Sequence, residues 1–201
     1  MRRQGQFRLA AIQGLATLGA GFALLYTARN FRLNRRGQVT ERFTNALERL
    51  GSDLPYVRSG GVFALEQIVQ DAPEQTDHIA RILVAFLRDR APAVGAADPP
   101  NHPDPDVQTA LTTLALLRPA ATGSRVNLSR LHLRGADLTG ARLRGANLSG
   151  ANLVSADLAN ADLSDAFLVG TKLNRALIRG TKLRRAFIRD TTLTRTCAAW
   201  T

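Results

Sequence analysis

The chain of 201 residues has one cysteine, one methionine, one tryptophan and three histidines. The single Cys197 excludes an internal disulfide framework and suits a reducing compartment. His78, His102 and His132 are scattered, and no two have metal-ligand spacing, so each is expected to pack or to face solvent. The chain shows no nucleophile beside a base, no carboxylate pair and no phosphate-cradling loop. These absences point away from an enzyme, and neither a cofactor nor a small-molecule substrate is expected. At this length one or two small domains are expected.

What the chain does have is a period of five. Leu128, Leu133, Leu138, Leu143, Leu148, Leu153, Leu158, Leu163, Leu168, Leu173, Ile178, Leu183, Ile188 and Leu193 follow at every fifth position. Two residues before them sit small side chains, from Ala136 and Ala141 to Ala186 and Thr191. Neither a helix, at 3.6, nor a strand, at 2, has this period. A repeat held in register this long means a solenoid of stacked small units. The large residue points inward as a ladder, and only a small group fits beside it. Thr171, Thr181 and Thr191 alternate with Ala176 and Ala186, a ten-residue beat that requires an even number of faces. Gly135, Gly140, Gly145, Gly150, Gly170 and Gly180 fall at the repeat corners and read as turn residues.

The unit Ala-(Asp/Asn)-Leu-X-X recurs as Ala136-Asp137-Leu138, Ala146-Asn147-Leu148, Ala151-Asn152-Leu153 and Ala161-Asp162-Leu163. It resembles the pentapeptide repeat family from about Val126 to Thr194. The resemblance implies a right-handed quadrilateral β-helix, with one pentapeptide per face and about twenty residues per coil. Fourteen repeats would then give about 3.5 coils, roughly 17 Å at the spacing of paired strands. Outward residues one coil apart should stack. Arg142, Asp162 and Lys182 would form a charge ladder, Phe167 and Phe187 a stacked pair, and Leu177 would project from the opposite face.

Charge is uneven. The total is +11, with +7 in residues 1–36, −4 in 37–118, +1 in 119–170 and +7 in 171–201. The first 36 residues hold seven Arg and no acid. Between Arg8 and Arg29 lie twenty uncharged residues, 9–28. As a helix they would span about 30 Å, a bilayer core. A membrane anchor is the favoured reading. The alternatives are a cleaved signal peptide, which lacks a convincing pair of small residues, and a helix of the globular part. Arg29, Arg32, Arg35 and Arg36 follow the span, against Arg2, Arg3 and Arg8 before it. The positive-inside rule therefore places the body in the cytoplasm.

Between anchor and solenoid, the apolar spacing predicts four helices. The first buries Val39, Phe43, Ala46, Leu47 and Leu50 and ends at Gly51. The second opens near Pro55 with Val57, Phe63, Ala64, Leu65, Ile68 and Val69 inward. The third covers about 76–88, and the fourth 105–117, with Val107, Ala110, Leu111, Leu114 and Leu117 inward. Residues 91–103, rich in Pro and Ala, read as an exposed loop. The openings Pro55-Tyr56-Val57-Arg58 and Pro105-Asp106-Val107-Gln108 echo each other and resemble the helix starts of HEAT or armadillo repeats. The order of segments is similar to a group of actinobacterial membrane-anchored pentapeptide repeat proteins. The expected division is thus 1–36 anchor, 37–118 helical (HEAT-like) segment and 119–201 β-helix. The fourth helix is placed to cover the open apolar end of the first coil.

The expected function is that of a bacterial, single-pass, membrane-tethered interaction scaffold with an unknown protein partner. The candidate apolar contact is Phe167 with Phe187. The candidate basic surface for anionic lipid or nucleic acid is Lys172, Arg175, Arg179, Lys182, Arg184, Arg185 and Arg189, with Arg195 beyond them. Arg179 and Arg189 are ten apart, hence on opposite faces, which argues against one flat patch. Protection of the last coil against edge-to-edge aggregation is the favoured role for these charges. Protection of a type II topoisomerase by DNA mimicry, known in the pentapeptide family, needs a long acidic surface, and this end carries +7.

Overall fold

The computed structural model describes residues 39–92, 100–117 and 126–194. The anchor expected at 9–28, together with Arg195, Cys197 and Trp200, lies outside the described residues. Among the described residues, no helix is long and apolar enough to cross a membrane. The chain divides into two units, Met1–Thr44 and Asn45–Thr201. In the first, residues 39–44 begin a helix in which the Thr44 hydroxyl donates to the Thr40 carbonyl at 3.1 Å.

That helix, α1, runs over 39–50, and the Gly51 N–H closes it on the Leu47 carbonyl. It is followed by α2 (Pro55–Asp71), a 3-10 turn (Pro73–Gln75), α3 (Thr76–Arg90) and α4 (Pro105–Leu116). Both α2 and α4 open on proline, whose fixed φ suits the first helical position and whose missing N–H costs nothing there. In the second unit, Ala46, Leu50, Val62, Leu65, Ile68, Ile79, Leu83, Leu87, Ala110, Leu111 and Leu114 form the helical core.

Two residues expected inside are outside. Phe63 is 56% exposed and Leu47 39% exposed. The buried face of α2 is Arg58, Gly61, Val62, Leu65 and Ile68. Gly61 explains the rotation. A Cβ there would meet the Ala46 carbonyl oxygen at 2.9 Å and the Leu50 nitrogen at 3.0 Å. The glycine lets the backbones approach closely, and the helix turns Phe63 outward.

Arg58 is buried and ties the two echoing helix starts together. Its Nε donates to Asp106 Oδ2, and its Nη1 donates to the Ser52 and Asp53 carbonyls at 2.9 and 2.8 Å. Such a buried pair is strongly destabilising when one partner alone is removed, because the other charge is left in a poor solvent.

Residues 126–194 form a β-helix with a coil of twenty residues. Parallel bridges join each outward residue to the one twenty later, as in Asn127 to Asn147 to Phe167 to Phe187. Four such columns define four faces. The first is Asn127, Asn147, Phe167, Phe187. The second is His132, Asn152, Lys172, Thr192, and the third Asp137, Asp157, Leu177. The fourth is Arg142, Asp162, Lys182. Coils are linked chiefly through the backbone: Leu148 N donates to Phe167 O, and Phe167 N to Ala146 O. From Ala136 to Ala186 the small residue at each corner donates to the preceding large one, as Ala151 N does to Leu148 O at 3.0 Å. That closes a β-turn whose third residue has positive φ.

The inward positions follow the sequence expectation closely. Leu128, Leu133, Leu148, Leu153, Leu158 and Leu168 have no exposure, nor do Ala136, Ala146, Ala151, Ala156, Ala161 and Ala166. Where threonine replaces alanine its hydroxyl is used. Thr171, Thr181 and Thr191 donate to the carbonyls of Leu148, Leu158 and Leu168 at 2.9, 2.8 and 2.6 Å. Full burial of the ladder does not extend to its end: Ile188 is 48% and Leu193 45% exposed. A ladder residue within the solenoid is covered from both sides by neighbouring coils, and the last described coil stacks on a described coil at one side.

The first coil has no preceding coil to receive its N–H groups, and the helical segment supplies the acceptors. His132 N donates to Pro92 O at 2.9 Å and Arg142 N to Ala115 O at 2.9 Å. Gln108 takes the third face, accepting from Asp137 N at 3.0 Å and donating to Asp137 O at 2.8 Å. In later coils the equivalent groups of Asn152, Asp157 and Asp162 donate to Leu131, Ala136 and Ala141. The cap expected from α4 is therefore present, and it is a substitute coil edge. The segment 91–103 is not simply exposed: Ala91 is buried, and the Pro92 and Pro100 carbonyls both lie against His132 of the first coil. At Gly135, φ is +64°, and a Cβ would lie 2.5 Å from His102 Nδ1 and 2.6 Å from Asn101 O.

Leu148→Asp or Leu158→Asp should prevent folding, since either sets an unpaired charge in an apolar core. Leu148→Ala should cost about 2–5 kcal/mol in denaturant unfolding. Retention of β-type circular dichroism and of the parent melting temperature by either aspartate variant would sink the fold assignment. Gln108→Ala should cost about 1–3 kcal/mol, because it strips partners from both backbone groups of Asp137. A cost no larger than that of Gln67→Ala, on an exposed part of α2, would show that the cap contributes nothing.

Candidate interaction surface

Each outward residue lies between two corners, so its chemistry is set by its own column and by the flanking turns. In the early coils the column residue is mostly Asp or Asn, and it serves the turn. Asn127, Asp137, Asn147, Asn152, Asp157 and Asp162 each accept, through Oδ1, the N–H two residues on. This is the Asx turn, in which the side chain completes a corner. The sequence signal is the Asp or Asn itself, because the donor is a backbone N–H that Ser129, Val154 and Ala159 supply equally.

These bonds lower two carboxyl pKa values. Asp137 is held below the usual carboxylate range by the backbone and side-chain hydrogen bonds of Thr139, against the smaller opposing effect of burial. Asp162 is lowered mainly by its hydrogen bond with Ser164. The Lys182 and Arg144 charges add to this, while burial opposes it. The expected ladder Arg142–Asp162–Lys182 is present as successive bridges. Arg144 also pairs with Asp165 at 3.0 Å across exposed surface, a contact of small energetic weight.

His132 is buried at the joint between loop and solenoid. Its Nε2 lies 3.1 Å from the Pro100 carbonyl and its Nδ1 3.1 Å from Asn152 Nδ2. A carbonyl only accepts and an amide nitrogen only donates, so the proton sits on Nε2. This is a packing role. Among the described residues, no group of three or more His, Cys, Asp or Glu side chains is arranged to hold a metal.

Phe167 and Phe187 stack as expected, with ring centroids 4.8 Å apart and planes 4° from parallel. Leu177 projects from the opposite face, 41% exposed. Beside Phe167, the residues Asn127, Asn147 and Ser149 line an open groove of about 350 Å³.

The basic residues separate into two groups by register. Arg184 and Arg185 occupy the turn that enters the Phe187 position, Arg189 follows it, and Lys182 is one face back. Lys172 lies on the second face, Arg175 at the next corner and Arg179 at the corner opposite Arg189. Arg175 and Arg185 take the left-handed φ that glycine holds at other corners, 63° and 57°.

Residues 124–158 and 156–195 match the family model of pentapeptide repeats, in eight copies. The second part of the chain is thus a pentapeptide repeat solenoid. Among solved structures it is similar to alr5209, a pentapeptide repeat protein of Nostoc Pcc 7120. That match has 39% identity over 37% of this chain and 61% of that one, with a TM-score of 0.36. It is also similar to Rfr23, a pentapeptide repeat protein of the cyanobacterium Cyanothece 51142, with 29% identity, 38% and 62% coverage and a TM-score of 0.26. A pentapeptide repeat protein of the Arabidopsis thaliana thylakoid lumen is 24% identical, with 37% and 54% coverage and a TM-score of 0.33. The chain spans between about half and three fifths of the length of these proteins. No curated protein matches it.

The lowered carboxyls give a pH test. A depressed folded-state pKa contributes stability that is present above the unfolded value, about 3.9, and lost as pH falls through the folded one. Asparagine keeps the Asx bond and removes the titration. Asp137→Asn with Asp162→Asn should therefore flatten the loss of stability below about pH 4. An acid-unfolding curve as steep as the parent's would show that neither carboxyl contributes.

Proposed function

We propose that the chain is a non-enzymatic, membrane-tethered interaction scaffold. The observation that carries this reading is the separation of roles in the solenoid. Inward positions and the backbone hold the coil, while column positions such as Arg142, Lys172, Leu177 and Lys182 have their side chains exposed. Such positions can change chemistry without cost to the core, which suits recognition of a protein partner. The tether rests on the uncharged stretch 9–28 between arginine-rich flanks, and the flank bias supports a cytoplasmic body. The helical segment belongs to the same reading. Its HEAT-like character rests on the paired proline openings of α2 and α4, and the likeness to membrane-anchored actinobacterial proteins rests on the order of segments and the stretches 37–43 and 57–66.

Carbonate-washed membranes should retain the full chain, and protease outside intact cells should leave it uncut. Recovery in the soluble fraction would remove the tether, and external cleavage would reverse the orientation. A protein recovered with the full chain from solubilised membranes should be lost when Arg142, Lys172, Leu177 and Lys182 are jointly replaced by alanine. Partner recovery unchanged by that replacement would move the contact off these columns.

A further inference from the structure

The first face of the solenoid changes character along its axis. Its early coils present the side-chain amides of Asn127 and Asn147, and its later coils present Phe167 and Phe187. The parallel rings each cover one face of the other, and their edges point outward from the column. Phe187 is 58% exposed, and Val169 on the adjoining corner 40%. Arg184 and Arg185 precede this ridge and Arg189 follows it, all three exposed. Among the described residues, neither Arg184 nor Arg185 has a carboxylate within salt-bridge distance. Arg189 approaches only its exposed neighbour Asp190, at 3.7 Å. The opposite face carries Asp137 and Asp157. Across the solenoid, an apolar ridge rimmed by exposed guanidinium groups thus opposes a face with carboxylates.

We propose that this face docks on an anionic membrane surface. The Phe167 and Phe187 edges enter the interfacial layer, and Arg184, Arg185 and Arg189 hold lipid phosphates and carboxylates. A planar guanidinium meets such groups with two parallel hydrogen bonds. An apolar wedge with a basic rim is the composition that binds in the plane of an anionic bilayer. Single-stranded nucleic acid fits less well, because a platform for successive bases needs a row of separate ring faces, and this stack leaves at most its two outer ones. The proposal deepens the membrane-tethered reading. A tethered body is already at high local lipid concentration, so a small patch suffices to fix its orientation.

The test uses the full chain with Phe187→Trp, in vesicles of brominated phosphatidylcholine with or without phosphatidylserine. The emission added by the substitution should be quenched only when phosphatidylserine is present. Arg184→Gln, Arg185→Gln and Arg189→Gln together should weaken docking by about a hundredfold. Lys172→Gln, Arg175→Gln and Arg179→Gln together should leave it near the parent value. With the unsubstituted chain, phosphatidylserine vesicles should protect Arg184 and Arg185 from phenylglyoxal. Emission unquenched in both vesicles, or quenched equally in both, overturns the proposal. So does protection of these arginines by a single-stranded oligonucleotide but not by vesicles. The tether is read separately by carbonate. A retained chain with unquenched emission overturns docking alone, and a quenched chain released by carbonate overturns the tether alone.

Discussion

Everything in the solenoid depends on backbone groups finding partners one coil away. Coils stacked at the spacing of paired strands, about 4.8 Å, leave room on each inner face for one large aliphatic side chain and one small one. Leu148 beside Ala146, and Leu158 beside Ala156, are that solution repeated. The corner between faces must then turn within two residues, which calls for a left-handed backbone. Glycine supplies it at Gly140 and Gly170, and Asn160 and Asp165 adopt it at other corners. Asx bonds in the early coils hold the corner from outside. The threonine hydroxyls at 171 and 181 reach carbonyls of the preceding coil from within.

A structure built on axial pairing has a problem at its ends, and the helical segment solves it at the first coil. The acceptors come from three separate places: the Pro92 carbonyl after α3, the Gln108 side chain in α4, and the Ala115 carbonyl at the end of α4. None continues the repeat, yet each sits where the previous coil's carbonyl would be. This explains why helices and solenoid fall in one compact unit. It also gives a purpose to the echo between α2 and α4. Arg58 and Gln108 occupy equivalent positions after the opening prolines, and each forms a long-range joint: Arg58 to the start of α4, Gln108 to the first coil.

The same logic frees the outer columns. A column residue is held by its neighbours' backbone whatever its side chain, so the first face can pass from amides to stacked phenylalanines without a break in the core. Turn residues are constrained in φ but not in charge, and arginine is accommodated at 175 and 185. Surface chemistry therefore varies from coil to coil while the fold does not.

The sequence by itself determined the solenoid, its inward ladder, the stacking of Phe167 on Phe187 and the presence of four short helices. The ladder and the helices follow from local periodicity, which forces like residues into like environments, and the phenylalanine stack from the twenty-residue coil that the family resemblance implied. It also placed α4 against the open end, because a coil edge must be covered. It did not determine which atoms would cover it, since Pro92, Gln108 and Ala115 reach their partners only after the chain has folded back. Nor did it determine that Phe63 would face solvent. Helical spacing marks a stripe, but the close approach at Gly61 decided which part of that stripe turned inward. Arg184, Arg185 and Arg189 stand beside Phe187 by sequence adjacency, but the exposure of the ring and all three guanidinium groups was decided by the tertiary structure. Which residues share a column depends on the coil's closing at twenty residues, and that is a property of four faces packed together.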